Sequence, residues 1–214
     1  MAVSAVFFDV GATLVDETRM FEGWADWLGV SRVDFHAALG ASIEARAPHR
    51  RVFELMAPDA DFAAVRAARR AAGAEFAIEP RDLYPDALAC LAACKAAGLY
   101  VGIAGNQPAS AAAALLNCGI AVDHLATSEE WGVSKPDPAF FERVARACGR
   151  PPAEIAYVGD RVDNDVVPAR LAGMRPVLVA RGPWGVVQTA WPEAAQAALV
   201  VRRLEGLAPL LAGL

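Results

Sequence analysis

The chain has 214 residues, 56% of them hydrophobic and 21% charged, with 25 acidic against 20 basic side chains and a formal net charge of −5. That composition provides for a packed core and excludes a disordered chain, and the acidic balance excludes the broad basic surface that nucleic-acid binding needs. No apolar run reaches the roughly 18 residues that span a bilayer, so no membrane segment is expected.

Residues 3–8 read as a buried strand. It delivers the Asp9 carboxylate into a tight turn, Val10-Gly11-Ala12-Thr13-Leu14. No basic segment precedes this apolar run, so no targeting signal is expected. Residues 18–78 read as helical throughout, and Phe21, Trp24, Trp27 and Leu28 fall at helical spacing as that segment's own core. Arg46, Arg50 and Arg51 read as solvated surface. A helix follows over about 84–97, ended by Gly98, then a strand over 99–104. A helix over about 109–117 is ended by Gly119 and leads to a short strand over 124–127.

Residues 138–148 form a helix and 155–158 a strand. A helix over about 163–172 is ended by Gly173, and 176–179 form the last expected strand. Arg181-Gly182-Pro183-Trp184-Gly185 reads as an ordered loop, and 204–211 as a final helix. Cys90, Cys94, Cys118 and Cys148 form no CxxC pair, so a reduced, cytoplasmic chain is expected.

Short, continuously apolar strands separated by helices predict a parallel sheet covered on both faces. The fold class is α/β, Rossmann-like, with an inserted helical segment. In such sheets the ligand sits beyond the carboxyl ends of the strands. Asp9, Asn106 and Asp160 each follow a strand and so point to that crevice. A fixed carboxylate can attack phosphorus and form an acyl phosphate that water hydrolyses. The charge on the phosphoryl oxygens calls for Mg²⁺, which takes oxygen ligands. The run Gly159-Asp160-Arg161-Val162-Asp163-Asn164-Asp165 supplies carboxylates, with helix capping by Asp163 or Asp165 as the alternative. The Asn106 amide, with the N–H groups of Gly105 and Asn106, can hold a phosphoryl oxygen; the alternative is an ordinary strand-to-helix turn. Lys135 is one of only two lysines, the other being Lys95, and Pro136 and Pro138 fix its backbone.

Together these segments resemble the haloacid dehalogenase superfamily over essentially the whole chain. Asp9 with Thr13-Leu14 matches its first motif, Val101–Asn106 the position of its second, and Lys135-Pro136-Asp137-Pro138 its third. Gly159-Asp160 with Asp165 and Ala172-Gly173-Met174 matches its fourth. The resemblance implies a catalytic core of residues 1–16 and 80–214 and a small helical cap over 17–79, as in the family's first subclass. It implies that Asp9 is the nucleophile and a Mg²⁺ ligand, and that Lys135 neutralises charge on Asp9 and the phosphoryl group. Asp160 and Asp165 complete the metal site with the Gly11 carbonyl, and Thr13, Gly105 and Asn106 lie at the phosphate.

Two positions depart from the family pattern. Gly11 stands where a second Asp serves as general acid and base, and Gly105 where Ser or Thr donates to phosphate. The implied activity is a Mg²⁺-dependent phosphatase on a small phosphorylated metabolite. It would be slow on simple alkyl esters, or suited to a good leaving group, unless Asp16, Glu17, His36 or His49 replaces the acid. Two alternatives stay open: a protein of this fold that binds a ligand or partner with little catalysis, and, as a minor one, a dehalogenase-type hydrolase, although dehalogenases lack the paired acidic residues. A phosphonate-cleaving role is excluded, since it needs a cap lysine and residues 17–79 contain none. The oligomeric state, monomer or homodimer, is left open.

Overall fold

A computed structural model describes residues 2–214. In chain order the elements are β1 (Ala5–Phe8), α1 (Thr18–Leu28), α2 (Arg32–Glu44), α3 (Arg51–Met56), α4 (Phe62–Ala71), α5 (Ala87–Ala96), β2 (Tyr100–Gly105) and α6 (Ser110–Asn117). They continue with β3 (His124–Thr127), α7 (Ser128–Trp131), α8 (Pro138–Cys148), β4 (Ile155–Gly159), a π-helical turn (Val162–Val166), α9 (Val167–Leu171), β5 (Arg175–Val179), α10 (Gly182–Gln188), β6 (Leu199–Val201) and α11 (Leu207–Leu211). The chain divides into two compact units. One runs up to Asp16 and resumes over Ile78–Leu214; the other is Glu17–Ala77.

The first unit is built on a six-stranded sheet in the order β3-β2-β1-β4-β5-β6, with every pairing parallel. β1 is central: Phe8 stands opposite Ile103 on one side and Val158 on the other. All four β1 residues are buried, as a strand covered on both faces requires. Side chains alternate between faces. Val6 and Phe8 join a core with Leu91, Cys94, Ile103, Leu207 and Leu211, while Ala5 and Phe7 join another with Phe140, Phe141, Val144 and Tyr157. The strand order reverses between β1 and β4, which places the ligand crevice at the ends of these two strands.

The second unit packs α1–α4 around a ring cluster. Trp24 and Phe53 centroids lie 4.8 Å apart, Phe53 and Phe62 4.4 Å, and Phe35 and Phe53 5.7 Å. The buried Arg69 guanidinium lies 4.1 Å from the Trp24 ring. Trp27 departs from expectation and is 38% exposed. Phe21, Trp24, Ala25 and Leu28 follow i, i+3, i+4, i+7 spacing, and position 27 falls off that face.

Other boundaries differ for identifiable reasons. The helical reading of 18–78 ends at Ala71, where Gly73 turns at φ +65°. The helix expected over 163–172 begins as a π turn, because Pro168 has no N–H and its ring cannot sit beneath a tight α turn. The loop read at 181–185 is the start of α10. Pro183 occupies the first turn of that helix, where its missing N–H costs nothing. The last helix starts at Leu207, after Gly206 at φ +75°. β6 is a three-residue edge strand absent from the sequence reading. No helix among the described residues is long and apolar enough to cross a membrane.

Candidate active site

The backbone brings four charged side chains to the ends of β1 and β4. The Asp9 N–H donates to the Val158 carbonyl at 2.8 Å, extending the parallel ladder one residue past β1 and fixing the root of the carboxylate. Lys135 Nζ lies 2.7 Å from Asp9 Oδ1 and 2.6 Å from Asp165 Oδ1. The Lys135 and Asp165 side chains are 2% and 1% exposed, and that of Asp9 is 11% exposed, so Asp9 is the member that solvent reaches. Asp160 is buried, and one carboxylate oxygen from each of Asp9, Asp160 and Asp165 lies within 4.8 Å of the others.

Burial opposes the Lys135 ammonium, but the Asp165 and Asp9 carboxylates outweigh it and hold its pKa well above the ordinary lysine value. Its Nζ also lies 5.4 Å from the Tyr157 ring and 5.9 Å from that of Phe140, both in contact range for a cation on an aromatic face. Burial pushes the Asp165 carboxyl up, to about 6, with Asp9 adding to the rise and Lys135 opposing it. The two shifts pull in different directions on one ion pair. The 2.6 Å contact and a second bond, from the Arg161 N–H to Asp165 Oδ2 at 2.9 Å, favour the charged pair at neutral pH.

Two glycines lie at close approaches. A Cβ on Gly159 would sit 2.2 Å from Asp165 Oδ2, so the strand exit must be glycine for Asp165 to fold back under it. A Cβ on Gly105 would sit 2.6 Å from Asp9 Oδ1. The departure at Gly105 therefore removes a hydroxyl donor and also makes room for the Asp9 oxygen that contacts Lys135.

Asn106 differs from its sequence reading. Its amide donates to the Lys135 carbonyl at 2.9 Å, and its side-chain oxygen accepts the Lys135 N–H at 2.8 Å. The reciprocal pair engages both ends of the amide on the backbone that carries Lys135. Its side chain thus anchors the third motif to the end of β2; the Lys135–Pro136 bond there is cis. Thr13 is fully buried, and its hydroxyl has no hydrogen-bond partner among the described residues.

Gly11 has no left-handed backbone, whereas Ala12 does, at φ +49°. Of the residues considered as substitute acids, Asp16 hydrogen-bonds through its N–H to the Asp82 carbonyl at 2.7 Å. His36 packs against the Phe21 and Phe35 rings inside the helical unit. Glu17 and His49 also lie in that unit.

Two residues matter that sequence reading left without a role. Gln188, at the end of α10 and fully buried, accepts the Val162 N–H at 2.5 Å and donates to Asp163 Oδ1 at 3.1 Å. Asp163 is also held bidentately by Arg161, at 3.0 and 2.6 Å. The acidic turn after β4 is thus tied to α10, and Asp163 serves as a strut of that turn. Arg181 donates to both Asp86 oxygens, at 2.8 and 3.0 Å, and to the Thr13 carbonyl, with its guanidinium 3.8 Å from the Tyr84 ring centroid. Asp86 Oδ2 also accepts the Leu204 N–H at 2.8 Å. Nothing in a lone Gln or a loop Arg signals these bonds in the sequence.

The donor set suits a hard divalent cation. Three converging carboxylates share one ammonium, leaving the cluster formally two negative charges in excess, and all the donors are oxygen. Both Asp165 oxygens are engaged by protein donors, so Asp9 and Asp160 are the better placed ligands.

A family model described as haloacid dehalogenase-like hydrolase matches residues 3–173. A phosphoserine phosphatase of Thermus thermophilus is 38% identical over 173 residues, covering 76% of this chain and 69% of the relative. A glyceraldehyde 3-phosphate phosphatase of Methanocaldococcus jannaschii is 36% identical over 104 residues, 47% of this chain and 46% of its own. The haloacid dehalogenase-like hydrolase domain-containing protein 3 of Danio rerio is 32% identical over 102 residues, 47% of this chain and 42% of its own. The chain thus spans under half the length of the latter two. Among solved structures, a phosphatase from Thermococcus onnurineus aligns with TM-score 0.62 at 21% identity, over 99% of each chain. The L-2-haloacid dehalogenase of Xanthobacter autotrophicus aligns with TM-score 0.68 at 21% identity, also over 99% of each chain. These structural likenesses show the fold.

Proposed function

The chain belongs to the haloacid dehalogenase-like hydrolase family, and on that footing we propose that it is a Mg²⁺-dependent phosphatase of small phosphorylated metabolites that works through Asp9. The observation that carries this reading is the Lys135 ammonium held between Asp9 and Asp165 beside Asp160. A dehalogenase-type site has no need of that many carboxylates. The phosphatase names of several relatives support the same reading.

In this reading Asp9, Asp160 and the Gly11 carbonyl hold Mg²⁺, with Asp165 behind them. The ion supplies charge neutralisation at the phosphoryl oxygens when bound. An Asp9 oxygen forms a bond to phosphorus, and the ester P–O bond breaks with its electron pair leaving on the alcohol oxygen. Lys135 stands where it balances the charge of Asp9 and of the incoming phosphoryl group. Water then cleaves the aspartyl phosphate, releasing inorganic phosphate and restoring Asp9. Asn106 keeps Lys135 in place, and Asp165 keeps its ammonium turned to Asp9. Gly11 offers no proton at the leaving oxygen, which favours substrates whose alcohol leaves readily.

The test is a phosphate-release screen over phosphorylated metabolites with Mg²⁺, pairing aryl with alkyl esters. Turnover of the aryl esters is expected, lost in Asp9→Asn. Turnover retained by Asp9→Asn would remove Asp9 as nucleophile. Substrate binding without release in the wild type would favour the ligand-binding alternative, which the glycines at 11 and 105 also suit.

A further inference from the structure

We propose that the first unit carries a second ligand site, distinct from the carboxylate cluster, for an amphipathic anion: an apolar body ending in one carboxylate or phosphate head. A cavity of about 760 Å³ opens between α5, α11 and the 202–206 segment, within the size range of pockets that hold small organic ligands. It lies outside the catalytic machinery, since Asp9, Lys135 and Asp160 are not among its walls.

The cavity exists because α5 turns small side chains toward it. Ala89 and Ala93 stand one helical turn apart on its wall, and both are exposed. The floor is Cys90, Leu204 and Leu207, all buried. This lining takes an apolar body.

Charge selects the head group. Asp86 and Arg181 in the wall already neutralise each other at 2.8 Å. Arg202 and Arg203 are exposed at the same cavity and make no ion pair among the described residues. Glu205 is the remaining acid in the lining. Two unengaged guanidiniums against one carboxylate leave a single positive charge, so one anionic head fits and a cation does not.

The inference stands on this geometry and not on the phosphatase reading, so its test needs neither Mg²⁺ nor turnover. The fluorescent sulfonate 1-anilinonaphthalene-8-sulfonate serves as probe on the full chain, with dodecanoate, dodecyl phosphate and dodecanol as competitors. Saturable one-site binding is expected, displaced by the two anions and not by the alcohol; whichever anion displaces better identifies the head group. Arg202→Glu with Arg203→Glu should weaken binding about tenfold or more, and Ala93→Trp, which fills the cavity, should abolish it. The arginine pair is on the surface, so that variant keeps the test sound if Ala93→Trp fails to fold. Binding unchanged in the arginine variant, or displacement by dodecanol as strong as by dodecanoate, would overturn the proposal. So would absence of probe binding in a chain that sedimentation shows to be a dimer split by Ala93→Trp, since a second copy would then occupy the cavity.

Discussion

At the level of single residues, the turn after β1 holds two neighbouring positions, Gly11 and Ala12, with opposite backbone demands. Gly11 has an ordinary backbone, so nothing in its conformation demands glycine. Gly11→Asp should restore a proton donor at the leaving oxygen. Turnover of an alkyl phosphate is expected to rise by ~10²-fold or more, with little gain on an activated aryl ester. Equal gains on both would show that the new carboxylate acts otherwise than as an acid. Ala12 is the reverse case. It holds φ +49°, where an L side chain is strained and glycine is not. Ala12→Gly relieves that strain but gives the unfolded chain more freedom, so a net gain of about 0.5 kcal/mol is expected in thermal or urea unfolding. A loss would mean that packing of the Ala12 methyl outweighs the strain.

At the level of elements, the acidic turn after β4 depends on α10. Gln188 satisfies the buried Val162 N–H and holds Asp163, and the same turn carries Asp165 back to Lys135. Gln188→Ala leaves a buried N–H without its partner, at a cost of about 1–3 kcal/mol. Residues behind a metal site affect its affinity about 10–100-fold. Calorimetry should accordingly show weaker Mg²⁺ binding in Gln188→Ala under conditions where the variant is fully folded. Unchanged affinity would confine Gln188 to a folding role. The lysine segment depends on β2 in a similar way, through the reciprocal Asn106 pair.

At the level of the whole molecule, Arg181 joins three distant parts of the chain. It ties the Thr13 carbonyl in the first motif to Asp86 at the start of α5, and Asp86 in turn holds the Leu204 N–H ahead of α11. The pair is largely buried, at 11% and 18% exposed. Removing one partner of such a pair leaves the other charge uncompensated, so Arg181→Met should cost about 3 kcal/mol. Burial works to raise the Asp86 carboxyl, but Arg181 and the Leu204 N–H outweigh it and hold it below the ordinary value. A depressed carboxyl stabilises the fold above its unfolded value of about 3.9, and that contribution disappears as pH falls through the lower folded value. Melting temperature should thus fall in acid below about pH 4 in the wild type. The part of that fall due to this group should be absent in Asp86→Asn, and an identical acid profile in that variant would discount the pair.

The sequence by itself determined the α/β class, the central strands and the residues that meet at their ends. Those features are local: apolar runs of strand length, glycines that end helices, and carboxylates placed just past a strand. Trp27 shows the limit of such patterns, since a helical run of large apolar residues does not say which one lies off the buried face. Tertiary structure alone decided what the site residues hold. Asn106 proved to grip the backbone of Lys135, Gly105 to make room for Asp9, and Gln188 and Arg181 to bind turns far away in sequence. Each of these depends on the distance between segments that only the closed sheet brings together, and no spacing along the chain encodes it.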